Sequence, residues 1–263
     1  MFNLQTFVLF ASLILALKGW ITWYRDLFSV NRLRGLIQQR FVLFLLPVVS
    51  LLLLAGVLKK LSATTVRNDA SYIGLYLLLT LGWLGGATLV FPFLGASARD
   101  DVLERSNLPA LWVVAGALLG VSCSFAGANI GNGPGVEAVL LSAVLSSGLF
   151  FILWLVVDHL TSVSERVTVE RDESAGITMA GLLLSIGLLS GWSVAGNWTS
   201  ASKTLRDFAL FSWPAILLSG IATVVERVFR RTFRKASRTL PFVISVLYVG
   251  IALAWILARG FRS

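Results

Sequence analysis

An all-α polytopic bundle of about eight membrane-spanning helices, with no soluble domain, is the fold class this chain predicts, and three observations carry it. Of 263 residues, 57% are apolar and only 13% are charged. The mean hydropathy is +0.84, far above what a water-exposed surface requires, so much of the apolar surface must face lipid. The apolar residues also fall in unbroken runs of roughly 20, the length a helix needs to cross about 30 Å of hydrocarbon. A transmembrane barrel would instead alternate apolar and polar residues over strands of about ten.

The runs lie at about 7–23, 41–58, 72–95, 108–128, 136–157, 175–195, 208–226 and 241–257. They consume nearly the whole chain, which leaves short connectors and no length for an appended catalytic domain. No Lys or Arg precedes the first run and no small-residue cleavage site follows it, so it reads as a span rather than a removable signal. Small residues recur one turn apart at Gly82 and Gly86, at Gly116, Gly120 and Ser124, at Ser142 and Ser146, and at Gly187 and Gly191. Helices in lipid have no hydrophobic drive to associate and pack through such grooves, which predicts that the third to sixth spans form the compact centre.

Lys and Arg are unevenly shared between the two sides. The odd-numbered connectors carry fourteen, among them Arg25, Arg40, Arg99, Arg105, Arg166 and Arg171, against seven on the other side, including Lys59, Lys60, Lys203 and Arg206. The positive-inside tendency then makes the odd connectors cytoplasmic and both termini extracytoplasmic, in a plasma membrane or bacterial inner membrane. The richest connector, 227–240, sets Phe229, Phe233, Ala236 and Leu240 at helical spacing among Arg227, Arg230, Arg231, Arg234, Lys235 and Arg238. That is the pattern of a basic amphipathic interfacial helix holding anionic lipid headgroups on the cytoplasmic side, at roughly 1 kcal/mol per basic residue. The net charge of +9 lies in connectors rather than on a soluble face, so anionic lipid, not nucleic acid, is its expected partner.

The chain also echoes itself faintly. Ala126-Gly127-Ala128-Asn129 follows the fourth span and Ala195-Gly196-Asn197 the sixth; Glu165-Arg166-Val167 follows the fifth and Glu226-Arg227-Val228 the seventh. Each match is three residues long at unequal separations, a relation between two helical hairpins that chance explains as well.

Residues able to carry chemistry are few. His159 is the only histidine and Cys123 the only cysteine, so haem bis-histidine ligation, an HExxH zinc site and an intramolecular disulfide are excluded, and no metal or cofactor is called for. Lys18 can snorkel to the interface, while Glu137 and Glu226 read as span-terminal charges. No mid-span acid, base or metal constellation supports an enzyme. The most distinctive segment is 126–137, A-G-A-N-I-G-N-G-P-G-V-E, on the extracytoplasmic side. Its glycines and asparagines suit a tight hairpin. They also suit irregular backbone lining a polar pathway, with Asn129, Gly131, Asn132 and Gly133 at the pathway and Glu137 at its mouth. The sequence-level expectation is a small-solute transporter or channel, forming a homo-oligomer or joining a membrane-protein partner. The alternative is a non-catalytic accessory or scaffold subunit.

Overall fold

The computed structural model describes residues 4–29, 37–133, 135–235 and 239–261, without the side chains of Leu4 and of 229–235. Among these, eleven α-helices follow one another: α1 (Leu4–Ser29), α2 (Ile37–Leu61), α3 (Thr64–Arg67), α4 (Ala70–Val90), α5 (Leu108–Ala128), α6 (Val136–Thr161), α7 (Val163–Thr168), α8 (Glu173–Val194), α9 (Ala201–Phe211), α10 (Trp213–Lys235) and α11 (Thr239–Arg259). Eight segments are long and apolar enough to cross a bilayer, and no strand is present among the described residues. The protein is a multi-pass, all-α membrane protein.

Polar residues at the span starts explain where several helices begin. Asp69 accepts from the Ser71 amide at 2.7 Å, Asn107 from the Ala110 amide at 3.3 Å, and Asp172 from the amides of Ser174 and Ala175 at 3.0 and 3.3 Å. Each satisfies a backbone donor that the first turn leaves free. Inside α2, Pro47 has no N–H to return to the carbonyl four residues back. That carbonyl, Leu43 O, instead accepts from Trp23 Nε1 of α1 at 3.1 Å.

The centre of the bundle is the parallel pair α5 and α8, the most buried of the eight spans. Their backbones meet where side chains are missing: a Cβ on Gly187 would lie 2.0 Å from Gly120 O, one on Gly127 2.1 Å from Gly191 O, and one on Gly116 2.5 Å from Ala180 O. A second parallel pair, α1 and α4, uses the same device, with a Gly19 Cβ placed 2.3 Å from Gly85 O and a Gly82 Cβ 2.6 Å from Ser12 Cα. The centre is therefore narrower than the small residues alone suggest, because the third span spends its glycines on the first rather than on the fourth.

The seventh expected span, 208–226, lies inside a longer apolar segment, 201–228, in which the amphipathic α9 passes into α10 at Ser212. Ser212 keeps right-handed helical backbone, and its amide donates to Phe208 O at 2.9 Å. Pro214 stands in the first turn of α10, where its missing N–H costs nothing. The expected interfacial helix 227–240 is not a separate element through Lys235, whose backbone continues α10. The side chains of Arg230, Arg231, Arg234 and Lys235 and the whole of Arg238 lie outside the described residues, while Arg227 donates to Leu160 O at 2.9 and 2.7 Å.

The odd connectors share one end. Between α4 and α5 a π-helical segment, Ala98–Glu104, carries Asp101, which accepts from the Ser97 amide at 2.9 Å and from Arg105 at 3.2 Å. Asn107 donates to Val167 O at 2.7 Å, Arg171 to Arg105 O at 3.0 Å, and Arg99 stands 3.8 Å from Asp26. At its heart Arg166 of α7, 2% exposed, is ion-paired with both Asp172 and Glu226. Burial alone would pull the guanidinium's pKa down, but Glu226 and Asp172 outweigh it and hold the pKa above the usual arginine value. Glu226, expected as a simple span-terminal charge, is thus a buried partner. Asp158 accepts from the Ser164 amide at 2.7 Å and from the Ser164 hydroxyl at 2.6 Å, which fixes the turn into α7, while His159 is exposed.

Two predictions follow from this packing. Gly187→Ala should cost about 1–3 kcal/mol by overpacking against Gly120, whereas Gly148→Ala, with open space around it, should leave the thermal midpoint of the detergent-solubilised protein unchanged or raised. Arg166→Met should cost about 3–5 kcal/mol by stranding buried carboxylates, and adding Glu226→Gln should recover part of that loss in the same melting assay.

Candidate functional site

At the opposite end the even connectors converge on a cleft of about 380 Å³. Its geometry begins at the exit of α5. Asn129 leaves the helix, and its Nδ2 turns back to donate to Phe125 O at 2.8 Å, one of the carbonyls a helix C-terminus leaves free. That bond assigns the amide: flipped, it would set Oδ1 against a carbonyl. Asn129 Oδ1 has no hydrogen-bond partner among the described residues, although the residue is only 5% exposed and lines the cleft.

The next residues tie three connectors together. Gly131 adopts φ +101°, and a Cβ there would sit 2.3 Å from Gly196 O, so both its backbone conformation and its close approach require glycine. Its amide donates to Leu61 O at 3.0 Å, the Gly196 amide to Ile130 O at 3.1 Å, and the Trp198 amide to Asn132 O at 2.7 Å. The Asn132 amide donates in turn to Asn197 Oδ1 at 2.8 Å. This network makes the segment after α5 a fixed wall rather than an independent hairpin.

Of the residues expected at a pathway, Asn129, Gly131, Asn132 and Gly133 line the cleft. Glu137 does not; it stands exposed on the outer face of the first turn of α6. Pro134 lies outside the described residues. The sequence did not single out Tyr72 and Tyr76 from α4, or Lys203, Thr204 and Asp207 from α9, all of which line the cleft. For α9 a signal existed, since these three sit at i, i+1 and i+4 and share one helical face.

Below the opening the cleft is floored with hydroxyls. Ser142 and Ser193 line it. One turn deeper, Ser146 donates to Ser124 O at 3.2 Å and Ser142 O at 2.9 Å, Ser124 and Ser147 hydroxyls lie 3.4 Å apart, Ser190 stands 3.5 Å from Ser124, and Trp83 Nε1 donates to Ser147 at 3.0 Å. Deeper still the interior closes. Gly120 and Gly187 meet backbone to backbone, and Phe91, Phe150 and Trp154 form an aromatic layer with centroids 5.7 and 6.1 Å apart. The space is thus open at one end and stops at Ser142 and Ser193; the hydroxyls beneath, Ser124, Ser146, Ser147 and Ser190, are buried in helix packing.

Such a site can recognise a small polar molecule through hydrogen bonds and charge. Among the described residues no group of three or more His, Cys, Asp or Glu gathers as metal ligands. Comparison of the chain with protein-family models, curated proteins and solved structures returned no match.

Proposed function

We propose that the protein moves a small polar solute across the membrane, with the cleft between the even connectors as the vestibule that receives it. The observation that carries this reading is the buried Asn129 Oδ1, without a partner among the described residues, in the wall of a solute-sized cleft. A buried acceptor without a partner costs about 1–3 kcal/mol, a cost that a ligand N–H or O–H removes. Pockets that hold small molecules are of this size and combine apolar walls with a few converging polar groups. Irregular backbone at membrane depth belongs where it lines such a space, which accounts for the position of the glycine-rich segment. The aromatic layer and the ion-paired Arg166 at the other end make this the conformation open to one side, and passage requires that seal to part.

The test is flux in proteoliposomes, followed by stopped-flow light scattering with glycine, erythritol and potassium chloride as solutes. At least one should equilibrate faster than in protein-free liposomes. Asn129→Leu, which removes the acceptor, and Gly133→Trp, which crowds the rim, should each slow that flux about tenfold at unchanged protein incorporation, as loss of one buried hydrogen bond implies. Fluxes equal to protein-free liposomes for every solute, or indifference to both substitutions, would sink the reading.

A further inference from the structure

Among the described residues, those lining the cleft include one basic side chain, Lys203, and one acidic side chain, Asp207. They stand one turn apart on α9, about 5–6 Å between Cβ atoms, yet they do not pair with each other, and no ion pair among the described residues includes either. Two uncharged groups repeat the same division. Asn129 Oδ1 is an acceptor without a partner, and Trp198 Nε1, also lining the cleft, is a buried donor without one. The wall therefore presents an exposed cation and a half-buried anion, with one donor and one acceptor buried behind its surface, all unmatched among the described residues.

We infer that the solute of this cleft is a small zwitterion of the α-amino acid class, its carboxylate facing Lys203 and its ammonium facing Asp207; this rests on the reading of the cleft as a solute site. Trp198 Nε1 and Asn129 Oδ1 lie just beneath the wall, where a small side-chain shift on binding brings them into reach as second donor to the carboxylate and second acceptor for the ammonium. A net anion would bring a like charge to Asp207 and a net cation one to Lys203, each repelled across a cleft whose hydroxyl floor supplies no compensating charge. A neutral polyol satisfies the hydroxyls but leaves both charges without a counterpart. Charge-assisted hydrogen bonds are roughly twice as strong as neutral ones, so a ligand that meets both charges is preferred over one that meets neither.

Calorimetric titration of the full chain in nanodiscs of neutral lipid tests this. The probes are each of the twenty protein amino acids, propionate and ethylammonium as the separated charges, and erythritol as the neutral polyol. At least one amino acid should bind. Lys203→Ala and Asp207→Asn should each weaken it at least tenfold in monodisperse protein, and Lys203→Arg, which keeps the charge, should hold it within a few-fold. Propionate and ethylammonium should bind at least tenfold more weakly. Erythritol or either separated ion binding as tightly as the best amino acid, or amino-acid binding untouched by both charge-removing substitutions, overturns the zwitterion and leaves a solute cleft of another class. No binding of any probe overturns the zwitterion and the solute reading together.

Discussion

The contact of bare backbone on bare backbone between α5 and α8 is the constraint from which the rest of the structure follows. Lipid is as apolar as a leucine side chain, so burying apolar surface between two spans gains little, and close van der Waals approach must hold them. Gly116, Gly120 and Gly127 on one helix and Gly187 and Gly191 on the other supply that approach. Because the pair is parallel, its two ends gather opposite sets of connectors. One gathers the segments after Asn129 and after Ala195, which become the walls of the cleft; the other gathers Asn107 and Val167, which hydrogen-bond to each other.

The two ends are built from different physics. At the arginine-rich end, side chains seal the bundle through charge, with Arg166 between two carboxylates and Arg227 on the C-terminal carbonyl of α6. Buried ion pairs of this kind hold an arrangement more than they add stability, since desolvation offsets much of their attraction. At the cleft end, the backbone does the bracing, through amide bonds from Gly131, Gly196 and Trp198, beside Asn129 Oδ1 and Trp198 Nε1, which are buried without a partner among the described residues.

The two short echoes in the sequence acquire a spatial meaning. Ala126–Asn129 and Ala195–Asn197 both leave the central helices at the cleft, where Asn197 Oδ1 accepts from the amide of Asn132, three residues past the first match. Glu165–Val167 and Glu226–Val228 meet at the other end through the Arg166 and Glu226 pair. These contacts join the neighbourhoods of the echoes and not like positions within them, since Asn197 corresponds to Asn129 and Glu226 to Glu165.

The number and approximate position of the spans, and the glycines on which they pack, were determined by the sequence alone, because hydropathy and residue size are local properties that need no partner to be read. The candidate wall at Asn129, Gly131, Asn132 and Gly133 was legible for the same reason: only a few residue types permit such backbone. What tertiary structure decided is everything that depends on a distant partner. Glu226 is 60 residues from Arg166 and Asn132 is 65 from Asn197, and nothing along the chain ties such residues together. The placement of Lys203 and Asp207 on the cleft was likewise decided by packing: α9 meets α6 and α8, and only the walls those helices bring give its polar face a cleft to line. Hydropathy reads the segment 201–228 as one span and carries no information about which face meets those walls.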